Sequence, residues 1–399
     1  MVIVFWRLVI ESFMHNLPLL KNAGNLAGKR VLLRLDLNLP IADGRVLDDF
    51  RLKRSLPTLE FLRARGAKII ILAHTDSAET DSLALVAEHL AKFVPLEFVP
   101  SLADLSEKVK TLQSRDILFL ENIRRNSGEM TNDEAFARDL ATLGDIYVND
   151  AFSVSHRVHA SIVGIPKFLP KFAGLLLAEE LLHLSKAFNP PKPFVFVLAG
   201  ANKKLSAHTS ISETKFPLVH KFLKTADTVF VSGALANDLL KAKGYEIGLS
   251  KHSERDFGFS DIVQNPKLLL PVDVVTESGG KRLAKGSNEV LAEDSIFDAG
   301  PRTVALLAEK FSTAKFILWN GTFGVYEQGY ISGTAAVAKA VVSSGAESIV
   351  GGGDTLACIS KLNLLDKFSF VSTGGGAMLE FLSNETLPGI VALQNSIKE

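Results

Sequence analysis

Ser348-Ile349-Val350-Gly351-Gly352-Gly353-Asp354-Thr355 opens as a short β-branched run, breaks at three glycines and passes straight into Leu356-Ala357-Cys358-Ile359. A strand, a glycine turn and a helix in immediate succession form the repeating unit of a parallel α/β sheet. Working outward, the same unit recurs in both directions. In the second half, strands are predicted at Phe194–Leu198, Thr228–Val231, Leu268–Val272, Phe316–Trp319, Ser348–Val350 and Phe368–Val371. Helical patterns at Phe216–Thr225, Leu235–Lys243, Pro301–Lys310 and Gly333–Ser344 separate them. In the first half, the strands are Val31–Leu37, Lys68–His74, Leu96–Val99, Ile117–Glu121 and Ile146–Asn149, with helices at Arg51–Arg65, Leu83–Phe93 and Asp133–Leu143 between them.

Two sets of alternating elements require two sheets. The seam is expected at Asn189-Pro190-Pro191-Lys192-Pro193, where three prolines in four positions cannot continue a helix. The leucine-spaced segment Ala173–Phe188 before it reads as a joining helix. The predicted fold is therefore α/β, with two doubly wound parallel-sheet (Rossmann-like) domains joined by a helix hinge. Residues 1–188 form the first domain, 189–387 the second, and the tail 388–399 packs near the first.

Composition narrows the function. Apolar residues make up 47% and charged residues 22% of the 399, an ordinary globular mix. Lys+Arg and Asp+Glu both number 44, so no global field attracts nucleic acid or an anionic membrane, and neither partner is expected. The single cysteine, Cys358, excludes an intrachain disulfide and a Cys-based zinc site. No apolar run approaches the ~18 residues of a membrane span, and Arg7 and Glu11 interrupt the apolar start too early for a signal peptide. A cytoplasmic location is expected.

In open α/β sheets, ligands bind beyond the carboxyl ends of the strands. In the second half these ends carry glycine turns: Gly200-Ala201, Gly233, Asn320-Gly321, Gly352-Gly353-Asp354-Thr355 and Gly374-Gly375-Gly376. Glycines permit close approach, and the following helix amides favour phosphate. Neither Gly-x-Gly-x-x-Gly after a strand nor a P-loop occurs. Asp354 suits Mg²⁺ on a nucleotide, though taken alone an Asp here more often reads as a helix N-cap. In the first half the corresponding positions carry Asp36, Asn38, His74, Arg124 and Arg157, and Arg51 opens a helix soon after Asp36. Arginine and histidine there form a candidate site for a small anion. One sheet with a phosphate edge and another with a basic edge suggest phosphoryl transfer between two substrates, with domain closure excluding water.

The residues resemble phosphoglycerate kinase from about Leu17 onward. The matching pieces are Gly28–Pro40, Asp48–Arg51, Leu120–Arg124, Tyr147–Ser161, Leu270–Val275, Asp298–Thr303, Trp319–Glu327, Ile349–Thr355 and Ser372–Leu382. The resemblance implies a monomer that moves a phosphoryl group reversibly between 1,3-bisphosphoglycerate/ADP and 3-phosphoglycerate/ATP in glycolysis, with Mg²⁺. It implies that Asp36, Asn38, Arg51, His74, Arg124 and Arg157 bind the phosphoglycerate. Gly200, Ala201, Lys203, Lys204, Lys215, Gly233, Asn320, Glu327, Gly352, Gly353, Asp354 and Thr355 would bind nucleotide. Asp354 would lie near the metal, Glu327 near the ribose, and Arg51, Gly353 and Gly376 at the transferring group.

Three places depart from the family pattern. Its Ser-His-Leu-Gly-Arg-Pro piece is here Ala73-His74-Thr75-Asp76-Ser77-Ala78, which replaces an arginine by Ser77 and adds Asp76. Its Gly-Gly-Ala-Lys is Ala199-Gly200-Ala201-Asn202, with a polar insertion before Lys215 and with Lys203 or Lys204 expected to reach back toward the phosphates. Its Asn-Gly-Pro turn is Asn320-Gly321-Thr322. Residues Met1–Phe13 precede the family pattern as an extension. The alternative reading is a protein of the same fold that binds these ligands with weakened transfer.

Overall fold

The computed structural model describes residues 16–200, 211–253 and 255–395, side chains of 211–214 aside. The extension Met1–Phe13, Ala201, Lys203 and Lys204 lie outside the described residues. The chain divides into two units: the described part of Met1–Leu182 with Asn384–Glu399, and His183–Ser383.

The first unit contains β1 (Arg30–Arg34), β2 (Ile41–Ala42), β3 (Arg45–Val46), β4 (Lys68–Leu72), β5 (Glu97–Val99), β6 (Ile117–Leu120), β7 (Ile146–Asn149) and β8 (Lys171–Ala173). Six of them form one sheet in the order β5-β6-β4-β1-β7-β8, every pair parallel, and β2 and β3 form a small separate hairpin. Runs such as Lys68-Ile69-Ile70-Ile71-Leu72 are buried after the first residue, as a parallel sheet covered on both faces requires. The helices Phe50–Ala64, Ala84–Ala91, Leu102–Thr111 and Glu134–Thr142 intervene between its strands. The C-terminal helix Pro388–Gln394 also belongs here, with Gly389 N–H donating to the Ser155 carbonyl at 2.8 Å.

The second unit holds β9 (Phe194–Leu198), β10 (Thr228–Val231), β11 (Leu268–Leu269), β12 (Asp273–Ser278), β13 (Lys281–Gly286), β14 (Ser295–Ala299), β15 (Phe316–Asn320), β16 (Glu347–Gly351) and β17 (Phe370–Val371). Its main sheet is parallel in the order β11-β10-β9-β15-β16-β17, a doubly wound order whose direction of growth reverses between β9 and β15. Phe194, Phe196, Phe222 and Phe316 interlock on one side of it, with ring centroids 4.1–5.9 Å apart for Phe196–Phe222, Phe194–Phe316 and Phe194–Phe222.

Several elements differ from expectation, three of them with a clear physical cause. The joining segment starts as the edge strand β8 and becomes helix only over Leu175–Leu184, because Tyr147 and its neighbours in β7 pair with Lys171–Ala173. The strand expected at Val31–Leu37 ends at Arg34, where the chain turns to form the site described below. A second, antiparallel sheet, β13-β12-β14, was not expected at all. Its middle stretch Lys281-Arg282-Leu283-Ala284-Lys285 is largely exposed and lacks the apolar run that marks the parallel strands.

Candidate active site

In the first unit, the strand ends that carry the expected residues belong to β6, β4, β1 and β7, a contiguous block of the sheet. Arg124 sits in the 3₁₀ turn Ile123–Arg125 after β6, and His74 follows β4. Asp36 and Asn38 follow β1, and Arg157 lies on the exposed loop after β7. Arg51, in the first turn of Phe50–Ala64, completes the group.

Asp36 is buried, and burial alone would raise its pKa. Arg51 Nη1, 3.1 Å from Oδ2, outweighs that, helped by the Ser153 hydroxyl and by the Asn38 amide that donates to Oδ1 at 3.1 Å. The carboxyl is held down to about 2 and stays ionised. Arg51 also donates to the Asn38 carbonyl at 3.2 Å, so Asp36, Asn38 and Arg51 form one bonded set.

His74 does not supply the charge that the sequence suggested. It is buried, and burial together with the neighbouring Arg34 guanidinium lowers its pKa to about 3. Arg34 can only donate, so the 3.1 Å contact from its Nη2 makes His74 Nδ1 an acceptor and leaves the ring proton on Nε2. Arg34 is fixed in turn by Ser161, whose Oγ accepts from its Nε at 2.9 Å and donates to Glu129 at 2.6 Å. Arg34, Ser153, Ser161 and Glu129 are residues that sequence reasoning did not select. Their signal was present in one respect, since a charged residue inside an apolar strand must find a partner when buried.

The positive character of this edge is further offset. Arg124 pairs with Asp76, whose Oδ2 also lies 3.9 Å from His74 Nε2. Buried nitrogens nevertheless remain without hydrogen-bond partners: Arg124 Nε, His156 Nδ1 and His159 Nδ1. Burial and the Arg157 charge lower His156 to about 4, so its ring is neutral at pH 7.

The second unit's edge is built from backbone. Gly200 follows β9, Gly233 follows β10, Asn320 ends β15, and Gly352 follows β16 as the N-cap of the helix Gly353–Lys361. Gly376 opens the helix Gly376–Asn384 after β17, and Glu327 lies in the 3₁₀ turn Tyr326–Gln328. A cavity of about 550 Å³ lies against the turns at Gly200, Gly233 and Glu327, and Asp298, Phe323 and Asp354 also line it. Burial raises the Asp298 carboxyl to about 6.

The glycines divide into two kinds. A Cβ on Gly321 would lie 1.9 Å from the Ala199 carbonyl oxygen, and one on Gly233 would lie 2.9 Å from Gly200 N, so these turns pack backbone against backbone. A Cβ on Gly353 would meet nothing within 4 Å, which leaves open space at the first turn of its helix. Beside it, the Thr355 hydroxyl is buried and has no hydrogen-bond partner. Lys215 Nζ is buried and donates to the Ala199 carbonyl at 2.6 Å. Burial lowers its pKa to about 8 despite the opposing pull of the Asp354 carboxylate. Among the described residues no group of three or more His, Cys, Asp or Glu is arranged to hold a metal ion.

Two parallel α/β sheets, one edged with arginines and carboxylates and the other with glycine turns and helix N-termini, define an α/β protein of two Rossmann-like units. A family profile described as phosphoglycerate kinase matches residues 20–385. The phosphoglycerate kinase of Thermosipho africanus is 39% identical, covering 94% of this chain and 97% of its own length, and that of Caulobacter vibrioides is 38% identical over 94% and 98%. The structure of phosphoglycerate kinase from Coxiella burnetii superposes with a TM-score of 0.79 at 38% identity, covering 94% of this chain and 98% of its own. That from Pyrococcus horikoshii superposes at 0.82 and 30% identity, covering 95% and 98%. The chain belongs to the phosphoglycerate kinase family.

Proposed function

We propose that this chain transfers a phosphoryl group reversibly between 1,3-bisphosphoglycerate/ADP and 3-phosphoglycerate/ATP, the reaction of glycolysis for which the family is named. The observation that carries this reading is the coincidence of the family motifs with the strand ends of both sheets. The family matches lend no support to the weakened alternative.

Residues 1–188 take the phosphoglycerate, through Asp36, Asn38, Arg51, His74, Arg124 and Arg157. The unpartnered Nε of Arg124, a guanidinium donor, suits an anionic ligand. Residues 189–387 take the nucleotide. The amides after Gly352 and the Thr355 hydroxyl face its phosphates, and Lys215 supplies a charge near Ala199. Asp354 and the unpartnered Thr355 hydroxyl would be the groups that hold a Mg²⁺ ion brought in with the nucleotide. When bound, that ion neutralises phosphate charge. In the direction that consumes ATP, a carboxylate oxygen of 3-phosphoglycerate attacks the γ-phosphorus of ATP, the bond to the bridging oxygen breaks, and ADP leaves. Phosphoryl transfer depends on positioning and neutralisation, so Arg51, Gly353 and Gly376 act by donors and charge rather than by a covalent intermediate. Closure of the units excludes water from that step. We assign the protein to the cytoplasm as a monomer; no described helix is long and apolar enough to cross a membrane.

A coupled assay of the purified protein with ATP, Mg²⁺ and 3-phosphoglycerate tests the proposal. Turnover that requires all three is expected. Absence of turnover at saturating concentrations of all three overturns it.

A further inference from the structure

The first sheet's edge contains two carboxylates, and they are held differently. Asp36 is buried at 7% exposure and locked to Arg51, Ser153 and the Asn38 amide. Asp76 is 41% exposed and lies on the loop after β4, yet its backbone is tied down: its amide donates to Asn38 Oδ1 at 3.1 Å. The preceding Thr75 carbonyl accepts from Asn122 Nδ2 at 3.0 Å, and Thr75 Oγ1 accepts from the Ser77 amide at 3.2 Å. The loop thus carries the Asp76 carboxylate to Arg124, whose side chain is only 13% exposed, and to within 3.9 Å of His74 Nε2.

We propose that Asp76 is a specificity-determining residue, an internal carboxylate that competes with the anionic substrate for Arg124. The proposal deepens the kinase reading and rests on it. Three side chains assigned to the phosphoglycerate, Asn38, His74 and Arg124, each lie against Asp76 or its amide. With His74 neutral, Arg124 is the cation that Asp76 offsets. Ser77, next in the loop, brings no replacement charge. A phosphate ester approaching Arg124 must displace the carboxylate or share the guanidinium with it. Highly charged substrates are disfavoured more than singly charged ones, because repulsion scales with the product of charges. The exposure of Asp76 makes the displacement possible, whereas Asp36 is fixed as part of the scaffold.

Steady-state kinetics on D76N, D76A and D76E test this, together with calorimetric titration of inorganic phosphate. Relief of one partly exposed ion pair is expected to lower KM for 3-phosphoglycerate about five-fold in D76N and D76A, and to tighten phosphate binding about equally. The shift should fall on KM more than on kcat, leave KM for ATP in place, and be absent in D76E. Unchanged or raised KM for 3-phosphoglycerate with unchanged phosphate affinity in both D76N and D76A overturns the proposal. If the wild type turns over no 3-phosphoglycerate, the kinase reading falls, and the phosphate titration alone still decides whether Asp76 competes for Arg124.

Discussion

At the end of β1, the groups proposed to recognise substrate are side chains: Asp36 bonded to Arg51, with Asn38 supporting both. At the end of β16 they are peptide amides, presented by Gly352 and Gly353 where a helix begins. The difference decides what each edge tolerates. A side-chain edge can be retuned by exchanging one residue, the role proposed for Asp76, while the sheet beneath stays intact. A backbone edge is in part the fold itself, so its packed glycines, Gly321 and Gly233, cannot change without moving a neighbouring turn.

The largest expected effect falls on the side-chain edge. Arg51→Met removes the cation proposed to neutralise the transferring group, and turnover should drop by about 10²- to 10³-fold. Nucleotide affinity measured by calorimetry should stay near wild type, since Arg51 belongs to the first unit. A comparable loss of nucleotide affinity would break the separation of the two edges.

The backbone edge should fail through stability instead. Gly321 has φ +100° and would place a Cβ 1.9 Å from the Ala199 carbonyl oxygen. Gly321→Ala is expected to cost about 3 kcal/mol in chemical denaturation, from strained backbone plus displacement of the β9 turn. Gly353→Ala is the control, because its Cβ enters open space. That variant should denature close to wild type yet bind ATP more weakly. Equal denaturation midpoints for the two variants would remove the distinction between packing glycines and ligand-facing ones.

A smaller effect separates the edges by pH. Asp36 is held to about 2 against an ordinary 3.8. A depressed carboxylate stabilises the folded state above its ordinary pKa and loses that contribution as pH falls from 3.8 through about 2. Asp36→Asn should therefore be less stable than wild type at pH 7 by on the order of 2 kcal/mol, with the gap closing across that acid range. Denaturant melts at several pH values check this. A gap that persists at the acid end would show that Asp36 acts through shape rather than charge.

Much of the architecture was legible because parallel strands buried on both faces must be apolar throughout. Lys68–Leu72, Phe194–Leu198 and Phe316–Asn320 announce themselves that way. The edge strand β8 and the antiparallel strands β12–β14 carry no such run, and pairing partners far along the chain define them. The helix Leu102–Thr111 is marked locally by its cap, the Ser101 hydroxyl accepting from the Asp104 amide at 3.1 Å.

The sequence alone determined the parallel α/β class, the succession of strand-end motifs and the resemblance they carry, because each is encoded by residues adjacent in the chain. Only the tertiary structure decided the charge of the site. Whether Arg51 faces Asp36, whether Arg124 faces Asp76, and whether His74 is neutral depend on side chains brought together from β1, β4 and β6. Those strands are neighbours in the sheet and lie far apart in the chain. Burial and pairing set ionisation, and both are properties of the assembled sheet.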